Sequence, residues 1–182
     1  MTESARSTAA TASPIEFPWS VPGILVGVDG SEESEAALQF AVRIAPQLHL
    51  PVHAVVVWDD PTLMWGDAYG LYGAPIEEYE SSAQQLAKDE AAWLFPDGVP
   101  EWFTFGAAHG RAAHTLIEAS RDAAMLVVGS RGHGGFAGLL LGSVSSACAA
   151  HAHCPVVVAR GPVTSPEKVG ETAAHAAAGV PE

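Results

Sequence analysis

The sequence predicts an α/β fold in which helices cover both faces of a doubly wound sheet of five parallel strands. Short apolar runs bounded by turn residues alternate along the chain with stretches in which apolar residues recur at helical spacing. The runs are almost continuously apolar, which is typical of strands buried on both faces. Strands that alternate with helices form a parallel sheet through right-handed crossovers. We therefore expect five strands and four helices in a single domain.

The first strand and helix are predicted between Gly23 and Pro46. The run Gly23–Val28 is apolar, and Asp29 ends it. Ser31 or a neighbour can cap the following helix through its side-chain oxygen. Apolar residues then recur at helical spacing before Pro46, namely Ala36, Ala37, Phe40, Ala41 and Ile44. This pattern predicts one strand-helix unit.

In the second strand-helix unit, a long loop separates the strand from the helix. Val52–Trp58 is apolar in all but His53 and predicts a buried strand, which Asp59-Asp60-Pro61 breaks. The loop runs to about Pro75 and is longer than the fold needs. Ile76–Leu94 follows as an amphipathic helix, whose acidic first turn suits the helix dipole.

The remaining elements complete the alternation. We predict a short strand over Glu101–Phe105, a helix over Gly110–Asp122 and a strand over Met125–Val128. A glycine-containing loop comes next. A helix from Gly142 to about His151 and a last strand, Val156–Ala159, end the domain. The last strand is expected to lie at an edge of the sheet.

Length and composition indicate one domain with tails. The chain has 182 residues, of which 48% are hydrophobic and 16% charged, enough for a sizeable core. We place the domain at residues 22–161 and expect flexible tails at 1–21 and 162–182. No apolar run approaches the length of a membrane span, and the first twenty residues do not resemble a secretory signal. We therefore expect a cytoplasmic protein without membrane contact.

The charge balance excludes several classes of partner. The formal net charge is -13, and only 8 residues are Lys or Arg, so a nucleic-acid surface is not expected. A bound polyanion would need local help, for which helix N-termini, a divalent cation, Arg131 and His133 are the candidates. The two cysteines, Cys148 and Cys154, form no metal pattern and are expected to be buried free thiols.

The stretch from Val127 to Val144 has the layout of a phosphate cradle. An apolar strand runs into Gly129-Ser130-Arg131-Gly132, a loop follows, and Gly142-Ser143 opens a helix. Glycine lets the backbone approach a ligand closely, and the first N–H groups of a helix are free to bind an anion. In a doubly wound sheet the ligand lies where the strand order reverses. The loops holding Asp29 and Gly129 should meet at that point.

The two commoner nucleotide-binding patterns are absent. A Walker loop needs Gly-Lys-Ser/Thr, but the only lysines, Lys88 and Lys168, are far from the cradle. A dinucleotide-binding turn needs G-x-G-x-x-G after the first strand, where this chain has Gly27-Val28-Asp29-Gly30-Ser31. The G-x-S-x-G pattern of a hydrolase nucleophile is also absent around Ser130.

The cradle resembles a pattern of the ATP-binding branch of the universal stress protein family. That pattern is G-x-x-G, nine residues and G-S, here Gly129 to Ser143. The likeness extends to Val26–Ser31 and to Cys154–Val158, and covers roughly Gly23–Arg160. It implies a Rossmann-like sandwich similar to the adenine-nucleotide alpha hydrolases, a homodimer formed through the last strand, and ATP or another adenine nucleotide with Mg²⁺ as ligand.

The resemblance also implies a set of ligand-binding positions. The candidates are Gly27, Asp29, Val57, Gly129, Ser130, Arg131, Gly132, His133, Gly142, Ser143 and Val144. Asp29 would lie near the adenine, ribose and metal region and is the candidate magnesium ligand, although an aspartate at a strand end can also serve as a turn residue. The chain departs from the family pattern in having Ala112-Ala113 where Pro-Ala is common and Ala124-Met125 where Ala-Asp is common. We expect both changes to affect packing and capping more than the pocket.

The leading hypothesis for function is a nucleotide-dependent switch or sensor of the stress response. ATP would order the loop between Gly132 and Gly142, and a protein partner would read that state. The sequence offers a cradle without an evident general base, so catalysis beyond slow ATP hydrolysis is not expected. Two alternatives stay open: a nucleotide-consuming enzyme of the adenine-nucleotide alpha hydrolase type and a ligand-free interaction module.

Overall fold

The computed structural model describes residues 22–59, 76–132 and 140–161. Its strands are β1 (Ile24–Val28), β2 (Val52–Trp58), β3 (Phe103–His109), β4 (Met125–Gly129) and β5 (Val156–Ala159). Its helices are α1 (Glu32–Leu48), α2 (Ile76–Leu94), α3 (Ala112–Ala119) and α4 (Ser143–His151). The predicted tails, the loop from 60 to 75 and the centre of the glycine loop at 133–139 lie outside the described residues.

All five strands are parallel and lie in the order β3-β2-β1-β4-β5. The chain therefore builds the sheet outward from β1 through β2 and β3, and then crosses to the other side of β1 for β4 and β5. This confirms the doubly wound sheet that the sequence predicts. The strand order reverses between β1 and β4, and β5 is an edge strand as expected.

Helices cover both faces of the sheet, and each face has its own core. The core between the sheet and helices α1 and α2 contains Ile24, Val26 and Val28 of β1. Leu25, which points the other way because side chains alternate along a strand, belongs to the core under α3 and α4. Side chains of β1 thus pack into both cores. This is why apolar and polar residues do not alternate along this strand.

Several predicted boundaries are confirmed. Strands β2 and β5 and helix α2 begin and end at the predicted residues. The Ser31 side chain caps α1 by accepting a hydrogen bond from the Ser34 N–H. Helix α1 continues past Pro46 to Leu48, with the proline in its last turn. The N–H groups of His49 and Leu50 bond back to the last turn and close the helix.

The predicted boundaries of β3 and α3 were wrong. The sequence predicts a strand over Glu101–Phe105, but β3 runs from Phe103 to His109 and pairs with β2 along its whole length. Its second half contains Gly106, Ala107 and Ala108, which have low β-propensity, so pairing in the sheet overrides the local preference. Helix α3 therefore starts later than Gly110, whose φ of 137° is not helical, and it ends at Ala119 instead of Asp122.

Three further observations bear on sequence expectations. In the part of the chain that the structure describes, no helix is long and apolar enough to cross a membrane. Cys148 is fully buried, Cys154 is half-buried, and both are free thiols. Burial raises the pKa of the Cys148 thiol to about 11, with a smaller contribution from Cys154. The thiol of Cys148 is therefore protonated at neutral pH.

Candidate functional site

The sheet opens into a cavity at the point where its strand order reverses. Strands β1 and β4 pair from Ile24 and Met125 as far as Val26 and Val127. Beyond that pair, the ends of the two strands line a cavity of about 400 Å³, at the carboxyl edge of the sheet. This volume lies within the range of small-molecule sites in proteins. The cavity occupies the place that the fold class assigns to a ligand.

The structure brings most of the predicted site residues together around this cavity. Those that line it are Gly27, Asp29, Val57, Gly129, Arg131, Gly132, Gly142, Ser143 and Val144. Ser130 does not line it: the residue is buried, and its carbonyl oxygen accepts hydrogen bonds from the Gly142 N–H (2.8 Å) and the Ser145 hydroxyl (2.9 Å). Ser130 therefore ties the two ends of the glycine loop together. His133 lies outside the described residues.

Part of the cavity wall is apolar. It contains Val55 and Val57 of β2, Leu116 of α3 and Val128 of β4. Of these four residues, only Val57 is among the ligand-binding positions that the family resemblance implies. Val55 could have been inferred from Val57, because residues two apart in a strand face the same side. Leu116 enters through the packing of α3 on the sheet, which no local sequence signal predicts.

The N-terminus of α4 also borders the cavity. Gly142 is the N-cap residue and makes no side-chain capping bond. Ser143 and Val144, the first helical residues, line the cavity, so the partial positive charge of the helix N-terminus lies beside it. Helix α3 also begins beside the cavity, at Ala112, and the Arg111 side chain does not cap it. Helix N-termini of this kind are suited to an anion.

The two carboxylate oxygens of Asp29 have different surroundings. Oδ1 accepts hydrogen bonds from the Ser31 N–H (3.1 Å) and the Ser31 hydroxyl (2.6 Å), the arrangement of a turn residue. Oδ2 faces Gly132, where the space for a Cβ is taken by this oxygen. The structural and the ligand-binding roles considered for Asp29 are therefore compatible, because each uses a different oxygen.

The site fits a magnesium ion only if a ligand supplies most of the coordination. Among the described residues, no three His, Cys, Asp or Glu side chains cluster closely enough to hold a metal. Mg²⁺ commonly binds through one or two carboxylates together with phosphates and water. Asp29 lines the cavity, and its Oδ2, the carboxylate oxygen that Ser31 does not engage, suits that mode of binding.

The glycines of the cradle serve different purposes. A Cβ at Gly129 would lie 2.7 Å from the carbonyl carbon of Glu33 and 2.8 Å from the Ser34 nitrogen, so close packing of α1 by itself requires glycine there. Gly142 differs, because a Cβ at this position would be 3.4 Å from its nearest neighbour, the Cα of Arg131. Packing of the protein alone does not require glycine at position 142.

Comparison with known proteins agrees with this architecture. The model of the universal stress protein family matches residues 23–160. The chain belongs to this family. A universal stress protein of Mycolicibacterium smegmatis is 36% identical over 149 residues, covering 76% of this chain and 48% of the relative. Universal stress proteins of Mycobacterium tuberculosis are 36% identical over 155 residues, covering 84% and 49%, and 39% identical over 140 residues, covering 75% and 45%.

This universal stress protein spans about half the length of the curated relatives it matches. Solved structures have the same fold across nearly their whole length. Universal stress protein UspA from Lactobacillus plantarum superposes with a TM-score of 0.61 at 23% identity, covering 76% of this chain and 97% of that one. A family member from Burkholderia pseudomallei gives a TM-score of 0.54 at 24% identity, covering 74% and 92%.

The departure from the family pattern at Ala112 lies beside the cavity. Ala112 lines the cavity, where α3 begins. The helix starts here because β3 extends to His109, and this extension brings residue 112 to the carboxyl edge of the sheet. That the change affects packing and capping more than the pocket stays a prediction.

Proposed function

We propose that this universal stress protein binds an adenine nucleotide, ATP with Mg²⁺, in the cavity between β1 and β4. The supporting observation is the polarity of that cavity. An apolar wall built from Val55, Val57 and Leu116 suits a flat nucleobase, and the N-terminus of α4, which lines the same cavity, suits phosphate. A ligand that has both an apolar ring and negative charge matches this lining.

Residues that line the cavity would bind the charged part of the nucleotide. Ser143 and Val144 would offer backbone N–H groups to phosphate, and Arg131 would add positive charge. The Oδ2 of Asp29, which Ser31 does not engage, would be a ligand to Mg²⁺. The ion would neutralise part of the phosphate charge, which matters in a chain of net charge -13.

We propose a nucleotide-dependent switch or sensor in preference to an efficient enzyme. Among the described residues that line the cavity, Asp29 is the carboxylate, and one of its oxygens is already engaged by Ser31. A poorly placed general base supports slow hydrolysis, well below about 1 per second. The switch would act through the loop between Gly132 and Gly142, at whose end the Gly142 N–H donates a hydrogen bond to the Ser130 carbonyl oxygen.

We further propose a homodimer formed through β5. This strand lies at the edge of the sheet, and its four residues are only partly buried. An unprotected edge offers free backbone donors and acceptors, and antiparallel pairing with the β5 of a second copy would satisfy them.

The nucleotide proposal is tested with the purified protein and a Gly142→Ala variant. Denaturing freshly purified protein should release an adenine nucleotide, identified by chromatography and mass spectrometry. Calorimetry of the emptied protein with Mg-ATP should show binding. The added methyl at position 142 has room in the protein, and Gly142 lines the cavity next to the α4 N–H groups proposed to bind phosphate, so affinity should fall by roughly tenfold or more.

The outcomes separate the candidate functions. If no nucleotide is released and calorimetry with Mg-ATP shows no heat of binding, the ligand-free interaction module becomes the better account. Conversion of ATP to AMP and pyrophosphate at rates of about 1 per second or faster would instead establish a nucleotide-consuming enzyme. A folded Gly142→Ala variant that binds Mg-ATP as tightly as the wild type would place the nucleotide elsewhere.

A further inference from the structure

Arg131 is held by an acidic residue that does not belong to the family's glycine pattern. Its Nη2 lies 3.2 Å from Oε1 of Glu33, in the first turn of α1. The Arg131 side chain is 50% exposed and the Glu33 side chain 24% exposed. Arg131 lines the cavity, whereas Glu33 contacts Arg131 without being part of the cavity lining.

The position of Glu33 depends on the glycine at position 129. A Cβ at Gly129 would overlap the backbone of Glu33, so the first turn of α1 packs directly on the end of β4. Arg131 follows Gly129 by two residues, and the same close approach therefore brings the Glu33 carboxylate to the guanidinium. The contact is built from the packing of α1 on β4.

Arg131 is suited to exchange Glu33 for a phosphate group. One nitrogen-oxygen contact joins the two groups, and an arginine has five N–H donors that can bind a phosphate in bidentate fashion. Exposed ion pairs have little net strength and are screened by salt. A phosphate group entering the cavity would therefore compete with Glu33 for Arg131 on favourable terms.

We infer that Glu33 is a competing anion that holds Arg131 until a phosphorylated ligand displaces it. This inference rests on the proposed nucleotide site. Glu33 lowers the affinity for phosphate-bearing ligands because the ion pair must be broken before Arg131 binds phosphate. Glu33 does not affect ligands without phosphate, which do not need Arg131. The residue thus sets how strongly binding depends on the phosphates of the ligand.

The test is calorimetry of the full chain with Mg-ATP and with adenosine, which has no charge. Glu33→Gln should raise the affinity for Mg-ATP by roughly two- to fivefold, the range expected from releasing an exposed ion pair, and leave adenosine binding unchanged. Glu32→Gln is the matched control, since this exposed neighbour in the same turn has the same charge without the described contact to Arg131. It should produce a smaller change.

The double variant Glu33→Gln/Arg131→Gln separates the effect of the Glu33–Arg131 contact from the general effect of removing a negative charge near the phosphates. It should bind Mg-ATP no better than Arg131→Gln alone, because the gain from removing Glu33 requires a free Arg131. An equal gain in the Arg131→Gln background, or no gain in the wild-type background, would overturn the inference while nucleotide binding itself stands. If the wild type binds neither Mg-ATP nor adenosine, the proposed function fails and this inference with it. Circular dichroism confirms that each variant is folded.

Discussion

The carboxylate of Asp29 occupies the space that a side chain at position 132 would need. Oδ2 of Asp29 overlaps the position of a Cβ on Gly132, while Oδ1 is held by Ser31. With aspartate at position 29, the end of β1 and the start of the glycine loop therefore fit together only when position 132 is a glycine. This contact joins the two loops at the point where the strand order reverses.

We predict that Gly132→Ala destabilises the wild-type protein more than it destabilises an Asp29→Ala variant. The added methyl displaces the Asp29 carboxylate and loosens its bonds to Ser31, at a cost of about 1–2 kcal/mol. With alanine at position 29 the overlap disappears. Urea denaturation of the four proteins of this cycle measures the coupling. Additive effects would show that the two residues do not constrain each other.

We predict opposite behaviour for the glycines at 129 and 142. Gly129→Ala pushes against the backbone of Glu33 and Ser34 and should lower the free energy of unfolding by about 1–3 kcal/mol. Gly142→Ala has space and loses only a favourable N-cap residue, at about 0.5 kcal/mol. Thermal or urea denaturation without ligand ranks the two variants. Equal destabilisation would mean that position 142 is as tightly packed as position 129.

We predict that the stability of the protein falls between about pH 4.5 and pH 7 because of Glu90. Glu90 lies in α2 and is only 8% exposed. Burial, followed by the charges of Glu35, Asp29 and Asp89, raises its pKa from 4.5 to about 7. In this pH range the folded state keeps a proton that the unfolded state has lost, so raising the pH favours unfolding.

Glu90→Gln removes this penalty. The variant should be more stable than the wild type by roughly 1–3 kcal/mol at pH 8 and similar to it near pH 4. Urea denaturation at both pH values measures the difference, and Glu101→Gln at an exposed position is the control. A difference between Glu90→Gln and wild type that does not change with pH would show that Glu90 is an ordinary solvated acid.

We predict that Val158→Pro yields a monomer with an intact fold. The carbonyls of Pro155 and Ala159 accept hydrogen bonds from β4, so alternation along the strand directs the backbone of Val156 and Val158 toward the free edge. Proline removes an N–H that the β4 pairing does not use. Light scattering compares it with Val158→Thr, which keeps the N–H and should remain a dimer. A monomeric wild type, or a dimeric proline variant, would contradict pairing through this edge.

The sequence alone was sufficient for the alternation of elements and for the place where the loops after β1 and β4 meet. Apolar runs and helical periodicity are local signals, and they located β2, α2 and β5 to the residue. The reversal of strand order follows from topology rules for such alternation, so the meeting of the loops after β1 and β4 was also predictable. The glycine spacing identified the family that the comparisons show.

Only the tertiary structure decided the length of β3 and the purpose of each glycine. Gly106 to Ala108 carry no local strand signal and are extended because β2 pairs with them. Gly129 is required by α1, a helix that begins near residue 32 and packs across the sheet. The Glu33–Arg131 pair joins residues almost a hundred positions apart. Local pattern reveals which elements form, whereas contacts between distant elements depend on how those elements pack, and the sequence of neither element encodes that by itself.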